Sequence, residues 1–249
     1  MPKYDVLVWG PIFCDLIFTG LPGMPCLGKE LFAENLTFGI GGCAIVANGL
    51  QRLGVKVGLV ADLGNDPISH IMWHLLEEKG LDCSLIRKHP LPITQLSVAL
   101  SYPKDRAFVT CFQRPQEPLK LADLLEKYPS RHVHICSLLT ALECTQAVQI
   151  AHAHGATVSL DPGWDETGLK DPRLLKMSHH VDLFMPSKSE LCQMTQIADS
   201  DQAAWTQLAN MTQGSLIVKD GANGALAYTK YPQEKTHVPA IAVTPIDTT

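Results

Sequence analysis

The sequence predicts a three-layer α/β sandwich, and two observations carry that reading. Short, continuously apolar runs of β type recur along the 249 residues, and amphipathic helical runs separate most of them. VLVW (6–9), VKVGLVAD (55–62), HVHIC (132–136), ATVSLD (156–161), DLFM (182–185) and SLIVKD (215–220) read as strands buried on both faces, as in a parallel sheet. Such a sheet presents ligands to the carboxyl ends of its strands.

The clearest helix is NDPISHIMWHLLEEKG (65–80), where Ile68, Ile71, Met72, Leu75 and Leu76 recur at spacings of three and four. Asp66 is placed to cap its first turn, Pro67 suits the first helical position and Gly80 the left-handed stop. Two segments break the alternation. Residues 12–40 and about 83–112 hold β-type runs (DLIF, ELFAENLTF, ITQLSVALSY, AFVTCF) without intervening helices. They read as antiparallel strands added to the core, either as a flap over a site or as an extension of the main sheet. Residues 114–118 read as a loop.

Composition narrows the function. The charge balance of 20 − 25 = −5 argues against nucleic acid or an anionic membrane as the main partner. No apolar stretch approaches the length of a membrane helix, and no leader pattern opens the chain. The eight cysteines are scattered without a C-x-x-C pair, which fits reduced thiols in a cytoplasmic protein better than disulfides or zinc. Of ten histidines, His132 and His134 alternate on one strand and His152 and His154 close a helix, and no ligand set converges on either pair. An enzyme or small-molecule binder is expected.

Four stretches carry the chemistry. GIGGCAIVANGLQRLG (39–54) sets a glycine pair, Gly41 and Gly42, before a helix, where positive φ and exposed N–H groups favour close approach to a ligand. It is not a dinucleotide fingerprint, because the third glycine and its acidic partner are missing. In VLVWGPIFCD, Gly10 ends the first strand and Asp15 follows five residues on, among apolar neighbours, as a turn cap or a ligand contact. Ser187-x-x-Glu190 is a capping box whose helix N-terminus also suits a nucleotide site. VKDGANGALAY (218–228) is a strand, a glycine turn and a strand. Trp164 reads as loop packing.

In order and spacing these stretches resemble the ribokinase-like (PfkB) carbohydrate kinases, from Tyr4 to Thr249. Gly10 and Asp15 match the end of the family's first strand, and Pro25-Cys26-Leu27-Gly28 its P-x-x-G lid signature. Gly41-Gly42 match its hinge, Gly64-Asn65-Asp66 its G-x-D, and residues 94–112 its second lid strands. Asp161-Pro162-Gly163 is similar to its D-P-N, Ser187-x-x-Glu190 to its N-x-x-E, Lys219-x-Gly221-x-x-Gly224 to its T-x-G-x-x-G, and Asp247-Thr248-Thr249 to its D-T-T.

The resemblance implies a single ribokinase-like domain over residues 1–249, a Rossmann-like αβα sandwich with a β lid from about 12–40 and 83–112. It implies transfer of a phosphoryl group from ATP to a hydroxyl of a sugar. A non-catalytic sugar-binding pseudokinase and a nucleoside kinase are the alternatives. In that scheme Asp15, Gly41, Gly42 and Asn48 bind substrate, and Ser187, Lys219, Gly221 and Gly224 lie along the nucleotide. Glu190 orients Mg2+ through water, and Asp247 ligates a monovalent cation such as K+. A homodimer is expected as well.

Four departures accompany the match. Val46 stands where the family has asparagine, with Asn48 two positions on; Ser187 replaces asparagine; Lys219 replaces threonine. The G-A-G-D segment, which supplies the family's anion hole and general base, is not among these residues. This chain as given is therefore expected to be truncated and inactive, with SLIV (215–218) losing its cover.

Overall fold

The computed structural model describes residues 2–102, 105–196, 209, 212–230 and 233–242, so Asp247 lies outside the described residues. In chain order the strands are β1 (Tyr4–Trp9), β2 (Ile12–Thr19), β3 (Asn35–Gly42), β4 (Val57–Leu63), β5 (Ile86–Lys88), β6 (Gln95–Ser101), β7 (Arg106–Phe112), β8 (Ser130–Cys136), β9 (Thr157–Asp161), β10 (Leu183–Phe184), β11 (Ser215–Lys219), β12 (Ala225–Thr229) and β13 (Glu234–Val238). The helices are α1 (Cys43–Arg52), α2 (Pro67–Glu78), α3 (Leu121–Lys127), α4 (Leu138–Glu143), α5 (Ala147–Ala153), α6 (Pro172–Ser178) and α7 (Lys188–Thr195). The chain divides into two compact units.

The first unit comprises Met1–Gly10, Val55–Val57 and Pro118–Ala242. Here β1, β8, β9, β10 and β11 lie parallel, and β12 and β13 continue the sheet antiparallel. Leu7, Val8, Val133, Ile135, Val158, Leu160 and Phe184 are wholly buried, as the continuous apolar runs demand of a sheet covered by helices. Helix α3 packs with α5 and α5 with β9, while α4 packs with α6 and β8. Leu216 and Val218 of β11 are also wholly buried, so the expected loss of cover over SLIV does not hold for them. Among the described residues of this unit, the exposed large apolar side chains are Trp164, Val238 and Ile241.

The second unit comprises Pro11–Gly54 and Gly58–Glu117 among the described residues. Its four-stranded sheet runs β3-β2-β6-β7. It is separate, as a flap would be, yet not wholly antiparallel: β2 and β6 pair parallel. The segment from 83 also contributes β5, which pairs with β4 rather than with this sheet. Helix α2 forms as read from the sequence. Asp66 caps it by accepting from Ser69 N at 3.1 Å, Pro67 opens it, and Gly80, at φ 66°, follows its end. Its buried stripe is Ser69, Met72 and Leu76, with Ile68, Ile71 and Leu75 half-buried beside it. Asp66 also accepts from Ile93 N at 3.0 Å, tying the helix start to the chain entering β6. Burial alone would raise the Asp66 carboxyl, but the bonds from Ser69 and Ile93 outweigh it and hold the group below its ordinary range.

Candidate substrate and nucleotide sites

In the smaller sheet, register places Asp15 of β2 opposite Gly39 of β3 and Ser97 of β6. Side chains alternate across a strand, so Phe13, Asp15 and Ile17 share one face with Gly39, Gly41 and Ser97. Thr110 of β7 stands opposite Ser97, and their hydroxyls meet at 3.0 Å. Asp15 is buried, and its charge, after burial itself, helps push the neighbouring Cys14 thiol up to about 11. Asp15, read from the sequence as a turn cap or a ligand contact, lies inside strand β2, held by pairing on both sides.

Gly41 and Gly42 are needed for different reasons. Only Gly42 has positive φ, 62°, and a Cβ there would fall 2.3 Å from the Pro11 carbonyl oxygen. That turn lets Cys43 N donate to the same oxygen at 3.0 Å as α1 begins. Gly41 needs no unusual φ; a Cβ there would lie 2.5–2.8 Å from the Asp15 carboxylate. Glycine at 41 is what gives the carboxylate its room. Asn48 is half-buried and about 7.5 Å along the helix axis from Cys43, at 1.5 Å per residue.

In the larger unit the charged residues gather at the carboxyl ends of β9 and β11. Lys219 Nζ donates to Asp161 Oδ2 at 2.5 Å, across the two-residue β10. Lys188 Nζ reaches Asp220 Oδ2 at 3.5 Å. Between them α7 begins with the capping box in full: Glu190 N donates to Ser187 Oγ at 3.2 Å, and Ser187 N to Glu190 Oε2 at 2.6 Å. Lys219 N donates to Pro186 O at 2.9 Å, which brings the start of α7 against the end of β11.

The glycine turn after β11 closes a hairpin, with Asp220 N donating to Gly224 O at 2.8 Å. Gly221 and Gly224 hold φ of 50° and 89°, and a Cβ on Gly224 would strike the Val238 carbonyl oxygen. Behind Asp161 the chain is pinned: Ser137 N donates to the Asp161 carbonyl oxygen at 2.7 Å, and Gly163 turns at φ 66°. Trp164, expected to pack its loop, is 61% exposed instead.

The same β8–β9 pair carries a polar ladder. Ser159 Oγ lies 2.6 Å from His132 Nε2 and 2.7 Å from His134 Nδ1, and His132 Nδ1 meets Thr157 Oγ1 at 2.7 Å. Burial pushes His134 down to about 4, so the ring is neutral at ordinary pH. His152 pairs with Asp182 at 2.8 Å. Among the described residues no three His, Cys, Asp or Glu side chains converge as metal ligands, and no helix is long and apolar enough to cross a membrane.

Sequence reading brought out Asp15, Gly41, Gly42, Ser187, Glu190, Lys219, Gly221 and Gly224. It missed Ser97, which only strand register sets beside Asp15, and Thr110 opposite Ser97, and it did not single out Asp161 as the partner of Lys219. Ser97 left one trace, the period-two alternation of LSVALS, which gives no register by itself.

A mainly parallel sheet flanked by helices, with a second small sheet bearing a buried carboxylate, defines a ribokinase-like α/β protein. The chain belongs to the pfkB family of carbohydrate kinases, whose model matches residues 24–249. It is 29% identical over 226 residues to a fructokinase of Salmonella typhimurium, covering 84% of this chain and 71% of that one. Among solved structures it is similar to a putative ribokinase II of E. coli in complex with ATP and Mg2+, at 23% identity and a TM-score of 0.73, covering 98% of this chain and 80% of that one. It is also similar to a nucleoside kinase of Methanocaldococcus jannaschii, at 19% identity and a TM-score of 0.74, covering all of this chain and 80% of that one.

Proposed function

We propose that this protein is an ATP-dependent sugar kinase, with fructose as the first acceptor to test. The observation that carries the reading is the Asp15 carboxylate, buried on a strand opposite Ser97, whose hydroxyl meets that of Thr110, with Gly41 giving the carboxylate its room. A desolvated carboxylate accepts strongly from sugar hydroxyls, and the two side-chain hydroxyls both donate and accept. Gly41 and Gly42 add backbone contacts, and Asn48 stands by on α1.

Ser187, Lys219, Gly221 and Gly224 form the nucleotide half, with Lys219 giving the polyphosphate a point charge. Mg2+ takes one or two carboxylates and otherwise waters and phosphates. Glu190 fits that demand through water, since its Oε2 is already engaged by Ser187 N. When bound, the ion neutralises charge that develops on the transferred group. Asp247 would hold K+ in the same scheme. Eight free cysteines support a reducing, cytoplasmic setting, and a homodimer belongs to the same reading.

None of these 249 residues is assigned as general base, so a polypeptide of this sequence alone is expected to bind its ligands without phosphorylating sugar. Calorimetry with fructose, adenosine and ATP–Mg2+, alongside a coupled assay for ADP, tests the scheme. Saturable fructose binding without ADP release supports it. Binding of adenosine alone at the Asp15 site favours a nucleoside kinase, and fructose-dependent ADP release overturns the lack of a base.

A further inference from the structure

Lys219 stands where the family resemblance puts threonine, and it is not idle. Its ammonium is held by Asp161 at 2.5 Å, from a strand two places away in the sheet. Asp161 is fixed from behind, where Ser137 N donates to its carbonyl oxygen, so its carboxylate is presented from a pinned backbone. The pair is not sealed: the Lys219 side chain is 43% exposed and that of Asp161 27%. An incoming anion can reach the ammonium. Lys188, on the neighbouring helix start, is arranged alike, facing Asp220 at 3.5 Å.

We propose that Asp161 is a positioning residue of the nucleotide site: its carboxylate holds Lys219 as an internal stand-in for phosphate, and a polyphosphate binds by exchanging places with it. The inference rests on the nucleotide reading of Lys219 given above. No bond is made or broken; one charge-assisted hydrogen bond replaces another. The exchange has a cost, because the ammonium must leave one carboxylate before it serves the ligand. Asp161 thereby lowers affinity for anions with too little charge to displace it and favours a polyphosphate. A mere strut between β9 and β11 would make different predictions.

The test is a double-mutant cycle on the 249-residue protein, with calorimetry of ATP and of inorganic tripolyphosphate in metal-free buffer. Asp161→Asn is expected to tighten tripolyphosphate binding about twofold to fivefold, the worth of a half-exposed ion pair no longer to be broken. In the Lys219→Met background the same change is expected to matter less than about twofold, because no cation is left to release. Asp161→Glu, which can rebuild the pair, is expected to restore the native affinity, and it keeps the test open should the asparagine variant fold poorly. Equal tightening in both backgrounds would mean simple long-range repulsion and would overturn the proposal. Lower melting temperature with unchanged affinity would make the pair a strut and also overturn it. If the native protein and Asp161→Asn both fail to bind either anion, the nucleotide reading itself falls, and this inference with it.

Discussion

Asp15 and Asp161 are both strand-borne carboxylates, yet the protein treats them differently. Asp15 is buried in a small sheet whose neighbouring strand has given up side chains at 39 and 41 to leave it space. Asp161 sits at a strand end, part exposed, with its charge already answered by Lys219. A buried carboxylate packed against a glycine is fixed in position by its surroundings. A half-exposed ion pair is built for exchange, because water screens it and its partner can be replaced cheaply. Under the proposed function, the first would serve a sugar and the second a polyphosphate.

The largest effect should separate the two glycines that serve Asp15. Gly42→Ala puts a Cβ against a backbone oxygen at a left-handed position, and about 2–4 kcal/mol of stability should be lost in urea denaturation. Gly41→Ala meets only the movable end of a side chain, so it should cost less than about 1 kcal/mol of stability. Comparable losses from both would erase the distinction between a backbone turn and a cleared site.

The unit that holds Asp161 should respond to acid through His134. Its folded pKa of about 4 lies below the ordinary 6.5, so the unfolded chain takes up the proton first as pH falls. The contribution is complete above pH 6.5 and is lost through the window down to about 4, by as much as ~1.4 kcal/mol per pH unit. Urea midpoints followed across that range should fall more steeply for the native protein than for His134→Asn. Parallel slopes would show that the ladder of His132, Ser159 and His134 does not govern acid stability.

Asp15→Ala removes a charged hydrogen-bond partner, and sugar affinity should weaken by about 1.5–3 kcal/mol with little change in the melting temperature. Unchanged affinity would move the sugar elsewhere. The smallest effect concerns α7, where Ser187→Ala deletes half of the capping box and should cost about 1 kcal/mol. If ATP binding survives that change while Lys219→Met weakens it, the serine is a cap and nothing more.

Much of this was legible in the sequence, because the elements that position the site are specified locally. Asp66 and Pro67 fix the start of α2, Ser187 and Glu190 that of α7, and apolar runs fix β1, β8, β9 and β11. Long-range pairing was not legible. Nothing local says that β2 lies parallel to β6, and therefore that Ser97 stands beside Asp15. The role of Gly41 was misattributed for the same reason: a glycine doublet suggests positive φ at both positions, whereas Gly41 answers to a side chain one strand away. The Lys219–Asp161 pair joins residues 58 positions apart, beyond any spacing rule. Burial of Leu216 and Val218 likewise depends on what packs over them, which the run SLIV does not disclose.

The most direct test is calorimetric titration of fructose into the native protein and Gly41→Ala. That change keeps the Asp15 carboxylate but displaces it, since a Cβ at 41 would lie 2.5–2.8 Å from its atoms. The native protein should bind fructose saturably, and Gly41→Ala should lose affinity by about tenfold or more, as large as the loss in Asp15→Ala, while both variants stay folded. Equal fructose affinity in the native protein and Gly41→Ala would contradict the account, since the position of the Asp15 carboxylate would then have no part in holding the sugar.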